Sequence, residues 1–115
     1  MEDCIFCKIV KMESPAKIAF ETSSTIAFDS ILPVAKHHVL IIPKEHISTF
    51  TDLEENHKDT FMEMAKTAQQ VINDRKISNG YKLIFNGGKY QAVKHIHWHL
   101  LGGKLEDEDD VLNKT

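Results

Sequence analysis

The segment from His95 to Leu101 alternates histidines with bulky apolar residues, in the order His-Ile-His-Trp-His-Leu-Leu. This alternation predicts a β-strand with two different faces, because successive side chains of a strand point to opposite sides of the sheet. His95, His97 and His99 therefore share one predicted face, at successive spacings of about 6.7 Å. A row of imidazoles with this spacing can lie along an extended polar ligand such as a phosphate and its substituents.

Two other interpretations of the three histidines compete with this one. A single metal ion could bind two of the imidazoles but hardly all three, since the outer pair would lie about 13 Å apart at Cα while a zinc–imidazole bond is about 2.0 Å. Three solvated histidines would also fit an exposed strand face, but repeated histidines are a poor choice for a surface that only faces water. The spacing favours chemistry at a phosphate.

The same run resembles the signature of the histidine triad family of nucleotide hydrolases and transferases, and specifically its Hint-like phosphoramidase branch. The other matching segments occur in the order of that family and cover nearly the whole chain outside the C-terminal tail. They are Cys4 to Ile9, Pro15 to Lys17, Ala27 and Phe28, His38 to Ile47, and Gly102 with Gly103. The resemblance implies the histidine triad fold, in which two subunits form a homodimer with one continuous sheet.

The resemblance also implies which histidines perform the chemistry. His97 is the expected nucleophile at phosphorus, and imidazole suits this role because its pKa of about 6.5 leaves much of it unprotonated at neutral pH. A main-chain carbonyl within the histidine strand is expected to hold the other ring nitrogen of His97. His99 and His38 are expected to flank the phosphate, where they stabilise developing charge or protonate the leaving group. The implied reaction cleaves the phosphorus–nitrogen bond of purine nucleoside 5′-phosphoramidates and related nucleotide conjugates through a nucleotidyl-histidine intermediate.

A nucleoside site is implied as well, with an apolar slot for the purine and an acidic side chain for the ribose hydroxyls. The chain departs from this pattern, because Ser30 stands in place of the acid, with Asp29 one residue earlier, and Ala92 stands where a serine is common. A serine hydroxyl makes a weaker contact to ribose than a carboxylate does. The expected slot residues are Ile5, Phe6, Ile9, Phe28, Ile31 and Leu40, and the expected phosphate-side residues are Asn86, Gln91 and Val93.

Cys4 and Cys7 allow several interpretations: a redox pair, a disulfide, half of a metal site, or two small buried residues. A structural disulfide does not fit a reducing compartment, and a redox Cys-x-x-Cys is expected after a strand rather than at the start of the chain. Metal binding and packing therefore stay open. The family resemblance implies that His46 and His95 complete a Cys2His2 site for structural zinc with this pair. No organic cofactor is expected.

Composition sets further limits. With 115 residues and 42% hydrophobic content, we expect one domain at residues 1–105, followed by an acidic tail at residues 106–115. The net charge of −3 argues against a nucleic-acid polymer as partner, because such affinity is built from clustered Lys and Arg, while a single purine nucleotide remains acceptable. We expect a cytoplasmic protein, since neither a signal peptide nor a membrane-spanning run is visible.

The hydropathy pattern predicts an α+β domain with five short, mainly antiparallel strands, one long helix and one short N-terminal helix. The short helix is predicted at residues 4–12, and the strands at residues 17–21, 25–28, 38–42 and 81–85 and in the histidine run. A capping-box spacing at Thr51 to Glu54 predicts the start of the long helix, and Asn79-Gly80 its end. An apolar stripe on that helix predicts core contact, at Phe61, Met64, Ala65, Ala68, Val71 and Ile72.

His37 is expected at the surface, on the opposite strand face from His38, and His57 is expected to be solvated on the long helix. Gly87 and Gly88 fit either an ordinary hairpin turn or a loop that presents main-chain N–H groups to an anion.

The main functional alternative to an enzyme is a zinc-stabilised nucleotide-binding or scaffolding module with residual catalysis. A hydrolase with a histidine-bound metal is a third alternative.

Overall fold

The structure is a computed structural model and describes residues 3–105. The predicted acidic tail lies outside the described residues. Within them, no helix is both long and apolar enough to cross a membrane. The elements in chain order are α1 (Ile5–Val10), β1 (Ile18–Glu21), β2 (Thr25–Asp29), β3 (Ala35–Pro43), α2 (Lys58–Arg75), β4 (Tyr81–Ile84) and β5 (Trp98–Leu105).

The five strands form one sheet in the order β1-β2-β3-β5-β4, and every neighbouring pair is antiparallel. The predicted α+β class and the predicted antiparallel sheet are therefore confirmed. β3 ends at Pro43, as expected for a residue that cannot donate to a sheet ladder. The hydroxyls of Thr25 and Thr67 lie 2.7 Å apart and tie β2 to α2, with both residues fully buried.

The two faces of the sheet carry separate apolar clusters. α2 covers one face, and the predicted helical stripe is confirmed there, since Met64, Ala68, Val71 and Ile72 are buried against the sheet. α1 covers the opposite face and contributes Phe6 and Ile9 to a second cluster. The first cluster consists of Ala27, Val39, Ile41, Ile47, Met64, Ala68, Val71, Ile72, Ile77, Ile96, Trp98 and Leu100. The buried members of the second are Phe6, Ile9, Ile26, Phe28 and Ile42.

The histidine run is less regular than predicted. β5 begins only at Trp98, so His95 and His97 precede the strand, and the prediction of one strand through all three histidines is wrong. The main chain before β5 has a partner outside the sheet ladder with β4: the Ile96 N–H donates to the Ile47 carbonyl (2.8 Å). The alternation of faces is nevertheless confirmed. Ile96 and Trp98 pack under α2, while His95 and His97 contact Phe6 on the opposite face.

The long helix begins later than its capping-box spacing predicts. Residues Phe50–Asp52 and Glu55–His57 form two 3₁₀ turns, and α2 starts only at Lys58. A capping box does occur, but its partners are Glu54 and His57, because the Glu54 N–H donates to the Nδ1 atom of His57 (2.9 Å). His57 is only 8% exposed, so the prediction of a solvated histidine is wrong.

Both helices are also shorter than predicted. α1 has 6 residues, and Cys4 precedes it as the N-cap, with its sulfur accepting a hydrogen bond from the Cys7 N–H. α2 ends at Arg75 because Lys76 adopts a left-handed conformation (φ 57°), which ends the helix before Asn79-Gly80. His37 is half-buried rather than fully at the surface, and its Nδ1 atom lies 3.3 Å from Nη1 of Arg75.

Candidate active site and metal-binding cluster

The three predicted catalytic histidines lie together on the α1 face of the sheet. His38 is on β3 and His99 is on β5, the strand paired with β3, so their side chains meet across the ladder. Nε2 of His38 lies 2.9 Å from Nδ1 of His99. The ring centroids of His97 and His99 are 5.0 Å apart. Sequence positions that are far apart in the chain therefore form one cluster of imidazoles.

Hydrogen bonding determines which nitrogen of His97 is free. Nδ1 of His97 lies 2.8 Å from the main-chain carbonyl oxygen of His95. A carbonyl oxygen can only accept, so Nδ1 carries the proton and Nε2 keeps its lone pair. The predicted carbonyl contact is present. A neutral imidazole with a free Nε2 lone pair is the form that attacks phosphorus.

Burial keeps these imidazoles neutral. It lowers the pKa of His97 and the pKa of His38, because a charged ring would lose its hydration. Burial, together with the smaller effect of the nearby rings of His97 and His38, lowers the pKa of His99 to about 4. At neutral pH, then, the cluster offers lone pairs and N–H donors rather than positive charge.

The apolar cluster beside these histidines contains most of the predicted slot residues. Phe6 contacts the ring of His97 edge to face, at 5.1 Å between centroids, and also contacts Phe28 at 5.6 Å. Ile9 is buried in the same cluster, and Leu40 packs against it. Val93, predicted on the phosphate side, also packs against this cluster. Two predicted residues lie outside it: Ile5 is 42% exposed, and Ile31 is 92% exposed in the loop after β2.

The predicted ribose position carries no free carboxylate. Nη2 of Arg75 donates to both carboxylate oxygens of Asp29, at 3.0 and 3.1 Å, which binds this acid to the end of α2. The Ser30 hydroxyl accepts a hydrogen bond from the Leu32 N–H (3.1 Å). A ribose bound here would have to share the Ser30 hydroxyl with the loop.

The predicted phosphate-side residues are spread over two environments. Asn86 is exposed, and with His97, Phe85 and Trp98 it lines a small cleft. Gln91 is only 4% exposed, and its amide nitrogen donates to the carbonyls of Ser48 (2.7 Å) and Val93 (2.9 Å). Because both amide protons of Gln91 are used, this side chain has no donor left for a phosphate, and it orders the loop instead.

The four predicted metal ligands form a second cluster. The Sγ atoms of Cys4 and Cys7 and one nitrogen each of His46 and His95 all lie within 4.8 Å of one another. Individual separations are 3.4 Å from Cys4 Sγ to His95 Nδ1, 3.7 Å from Cys7 Sγ to the same nitrogen, and 3.2 Å from Cys7 Sγ to His46 Nδ1. A tetrahedron with zinc bond lengths has edges of about 3.3 to 3.8 Å, so the donor set and its dimensions fit a closed zinc site.

Further contacts orient the two imidazoles of this cluster. Nε2 of His95 donates to the Pro43 carbonyl oxygen (2.8 Å), which leaves Nδ1 unprotonated toward the sulfurs. Burial lowers the pKa of His95 to about 4, so this lone pair stays available. Nε2 of His46 lies 3.2 Å from the Ser48 hydroxyl. Burial raises the pKa of the Cys7 thiol, and the neighbouring Cys4 raises it further.

A cavity of about 380 Å³ opens beside the metal-binding cluster. Ala92 lies in its wall, so the residue that departs from the family pattern faces this cavity. The other lining residues are Asp3, Cys4, Ile5, His46, Ser48, Val93 and Lys94.

Sequence reasoning missed the groups that orient the histidines. Two are main-chain atoms, the Pro43 carbonyl at His95 and the Val34 N–H at Nδ1 of His38 (3.1 Å). Main-chain groups carry no residue-type signal, so no motif could have revealed them. Ser48 could have been suspected, because it lies only two residues beyond His46.

Comparisons with known proteins show which family the chain belongs to. A family model described as "Scavenger mRNA decapping enzyme C-term binding" matches residues 3–111. The purine nucleoside phosphoramidase of Escherichia coli (strain K12) is 38% identical over 106 residues, which cover 90% of this chain and 89% of that protein. The chain belongs to the histidine triad family. A solved HIT family hydrolase from Clostridium thermocellum is 44% identical, with a TM-score of 0.86 over 90% of this chain and 92% of that one.

A second solved member of the histidine triad family bears on the metal-binding cluster. It is described as a Zn-bound histidine triad family protein from Mycobacterium smegmatis and is 29% identical. Its TM-score is 0.80, with 96% of this chain and 81% of that one covered. Zinc is therefore known in a protein of this fold.

Proposed function

We propose that the protein is a hydrolase of purine nucleoside 5′-phosphoramidates and related nucleotide conjugates. One observation carries the proposal: the free Nε2 of His97 lies among neutral, buried histidines, with its other nitrogen held by the His95 carbonyl. The 38% identity to a purine nucleoside phosphoramidase supports the same substrate class. The identity to a HIT family hydrolase supports hydrolysis as the reaction type.

In the proposed first step, Nε2 of His97 attacks the α-phosphorus and the phosphorus–nitrogen bond breaks. The departing amine takes up one proton from the solvent, and a nucleotidyl group stays on His97. In the second step, water attacks the same phosphorus, the bond to His97 breaks, and the nucleoside monophosphate leaves with release of one proton. The two steps together consume one water molecule and restore the neutral imidazole.

His99 acts in this proposal as a hydrogen-bond donor to the phosphate, and His38 donates to His99 and orients it. Neither ring is a source of a full proton. The pKa of His99 is lowered to about 4, so very little of its charged form exists at neutral pH. A neutral imidazole N–H is far too weak an acid to transfer its proton, but it stabilises negative charge that builds on the phosphate oxygens. The hydrogen bond between the two rings supports this assignment.

The nucleoside is proposed to bind beside Phe6, whose ring contacts His97, and Phe28, whose ring contacts Phe6. Ser30 takes the place of a ribose-binding acid, which supports weaker discrimination between ribose and deoxyribose. The full set of proposed substrate contacts is Ile5, Phe6, Ile9, Phe28, Ser30, Ile31, Leu40, Asn86 and Val93, with Gln91 acting through the loop it orders.

Cys4, Cys7, His46 and His95 are proposed to hold one structural zinc ion. When bound, zinc with four protein ligands has no open position for water, so it supplies stability and not catalysis. The ligands connect the start of α1 to the residues just before β5. Zinc would therefore hold Phe6 in place against His97.

A homodimer is proposed through β4, which is one of the two edge strands of the sheet. Tyr81 and Leu83 alternate along β4 and are 51% and 43% exposed, and Phe85, directly after the strand, is 48% exposed. A sheet edge with exposed apolar side chains favours pairing with a second copy. The continuous sheet implied by the family resemblance would result.

The test is turnover of adenosine 5′-monophosphoramidate, followed by release of ammonia and of AMP. Wild-type protein should hydrolyse it, while His97→Ala should lose activity but keep nucleotide affinity, because the nucleophile provides the covalent path and little of the binding energy. His37→Ala is the matched control and should stay active. Wild-type protein that binds AMP without turning over the phosphoramidate would instead favour the nucleotide-binding module.

A further inference from the structure

The loop between β2 and β3, residues 30–34, makes an unusual set of contacts to His38. The Ser30 N–H donates to the main-chain carbonyl of His38 (2.8 Å), and the Val34 N–H donates to its ring nitrogen Nδ1 (3.1 Å). The Ser30 hydroxyl accepts from the Leu32 N–H (3.1 Å), which holds the loop in its turn. One short loop thus binds both the main chain and the ring of a histidine in the candidate active site.

The Val34 contact determines the position of two protons. A main-chain N–H can only donate, so Nδ1 of His38 must be the acceptor and Nε2 of His38 must carry the proton. That Nε2–H donates to Nδ1 of His99 (2.9 Å). Since Nδ1 of His99 is now an acceptor, the proton of the neutral His99 ring is on Nε2.

We propose that the main-chain N–H of Val34 is a positioning group that fixes the tautomers of His38 and His99, so that His99 presents an Nε2–H donor beside the nucleophilic His97. This inference rests on the proposed function for its effect on rate, while the tautomers themselves are independent of any substrate. The donor at His99 and the lone pair at Nε2 of His97 are then complementary to a phosphate, which needs a nucleophile at phosphorus and donors at its oxygens.

The reversed arrangement would oppose the reaction. If His38 carried its proton on Nδ1, its Nε2 would become the acceptor, and Nδ1 of His99 would have to donate. His99 would then direct a lone pair from Nε2 at the substrate, where it would repel the phosphate oxygens. Neutral imidazole permits both arrangements, so the selection has to come from a fixed partner, and Val34 is the partner that can only donate.

The loop depends on its own hydrogen bonds for its order. Ile31 and Leu32 are 92% and 78% exposed, so burial of these side chains does not hold the loop in place. Pro33 restricts the main chain directly before Val34. Ser30 therefore has a second role in this account, because its hydroxyl orders the turn that delivers the Val34 N–H to His38.

The first experiment measures the tautomers directly in the wild-type protein. Long-range ¹H–¹⁵N correlation spectra of ¹⁵N-histidine-labelled protein, recorded at mildly basic pH, distinguish protonated from unprotonated ring nitrogens. The expected result is an unprotonated Nδ1 and a protonated Nε2 for both His38 and His99. A protonated Nδ1 on either ring would overturn the proposal, and this outcome does not depend on whether the protein is a phosphoramidase.

The second experiment removes the donor. Replacing Val34 by its α-hydroxy acid turns the N–H into an ester oxygen and keeps the side chain, whereas Val34→Ala keeps the N–H and removes most of the side chain. The ester should lower kcat on the order of ten- to a hundredfold with little change in KM, since it weakens a donor used in the transition state. It should also shift the ¹⁵N signals of both rings toward the other tautomer.

Val34→Ala should keep the wild-type ¹⁵N pattern and the wild-type kcat, because a 43% exposed side chain contributes little here. Ser30→Ala should give a smaller change of the same kind as the ester. An ester variant with unchanged ring signals would refute the positioning role. If the ester shifts the tautomers and no phosphoramidate is hydrolysed even by the wild type, the positioning role of the Val34 N–H stands and the proposed function fails.

Discussion

The lowered pKa of His99 predicts that protein stability falls in mild acid. Because the folded state holds the pKa of His99 near 4 while an unfolded histidine has a pKa of about 6.5, the unfolded chain binds more protons over this interval. The free energy of unfolding therefore decreases as the pH falls from about 6.5 toward 4. From these two values, His99 alone lowers it by about 2 kcal/mol at about pH 5.

The assay is urea unfolding of wild-type protein and His99→Gln at equal protein concentration, at neutral pH and at about pH 5. Glutamine keeps a polar side chain but does not titrate in this range. His99→Gln should lose less stability on acidification than wild type, by about 2 kcal/mol, whereas the control His37→Gln should follow wild type. Titrating groups that do not contact His99, including the proposed metal ligands, are common to wild type and His99→Gln and cancel in the comparison. Equal acid sensitivity of wild type and His99→Gln would refute the reasoning.

Three further changes test other parts of the structure. The double variant Cys4→Ser/Cys7→Ser should lose stoichiometric zinc and melt roughly 5 °C or more below wild type with zinc supplied, and an unchanged melting temperature would contradict a structural metal. Ser30→Asp should tighten binding of ribonucleotides by about 1 kcal/mol, close to fivefold, but not of dideoxy analogues; calorimetry that finds equal gains for both would refute the ribose contact. Gly102→Ala should lower the free energy of unfolding, measured with urea, by about 1–3 kcal/mol. The new Cβ at position 102 would lie 3.1 Å from Cβ of Ile77 and still closer to Cδ1 of Ile77. Ile77→Val removes Cδ1, so Gly102→Ala should destabilise the Ile77→Val protein less than it destabilises wild type. Equal losses of unfolding free energy in both backgrounds would show that this contact is not the cause.

Structural features that follow a periodic hydropathy pattern could be predicted from the sequence. The alternation at residues 95–101 assigned Ile96 and Trp98 to one face and the histidines to the other, even though β5 begins only at Trp98. The helical stripe containing Met64 and Val71 was placed correctly in the core. Both patterns report on burial, which side-chain type reveals directly.

The remaining features depend on partners that the sequence does not connect. Arg75 and Asp29 are 46 positions apart, yet their contact decides that no free acid stands beside Ser30. His57 looked like an exposed helical residue because no sequence pattern links it to its partner Glu45, 12 positions earlier. The tautomers in the candidate site depend on main-chain atoms, which every residue type offers alike. Such details follow only once the chain is folded.

The central claim is that His97 forms a covalent bond to the nucleotide. The most direct measurement is rapid acid or denaturant quenching of wild-type protein during turnover of a purine nucleoside phosphoramidate, followed by intact mass analysis and peptide mapping. The account predicts a nucleotidyl adduct on Nε2 of His97 in wild type and no adduct in His97→Ala. Substrate turnover by a fully active His97→Ala protein, or an adduct mapped to His99 or His38, would contradict it.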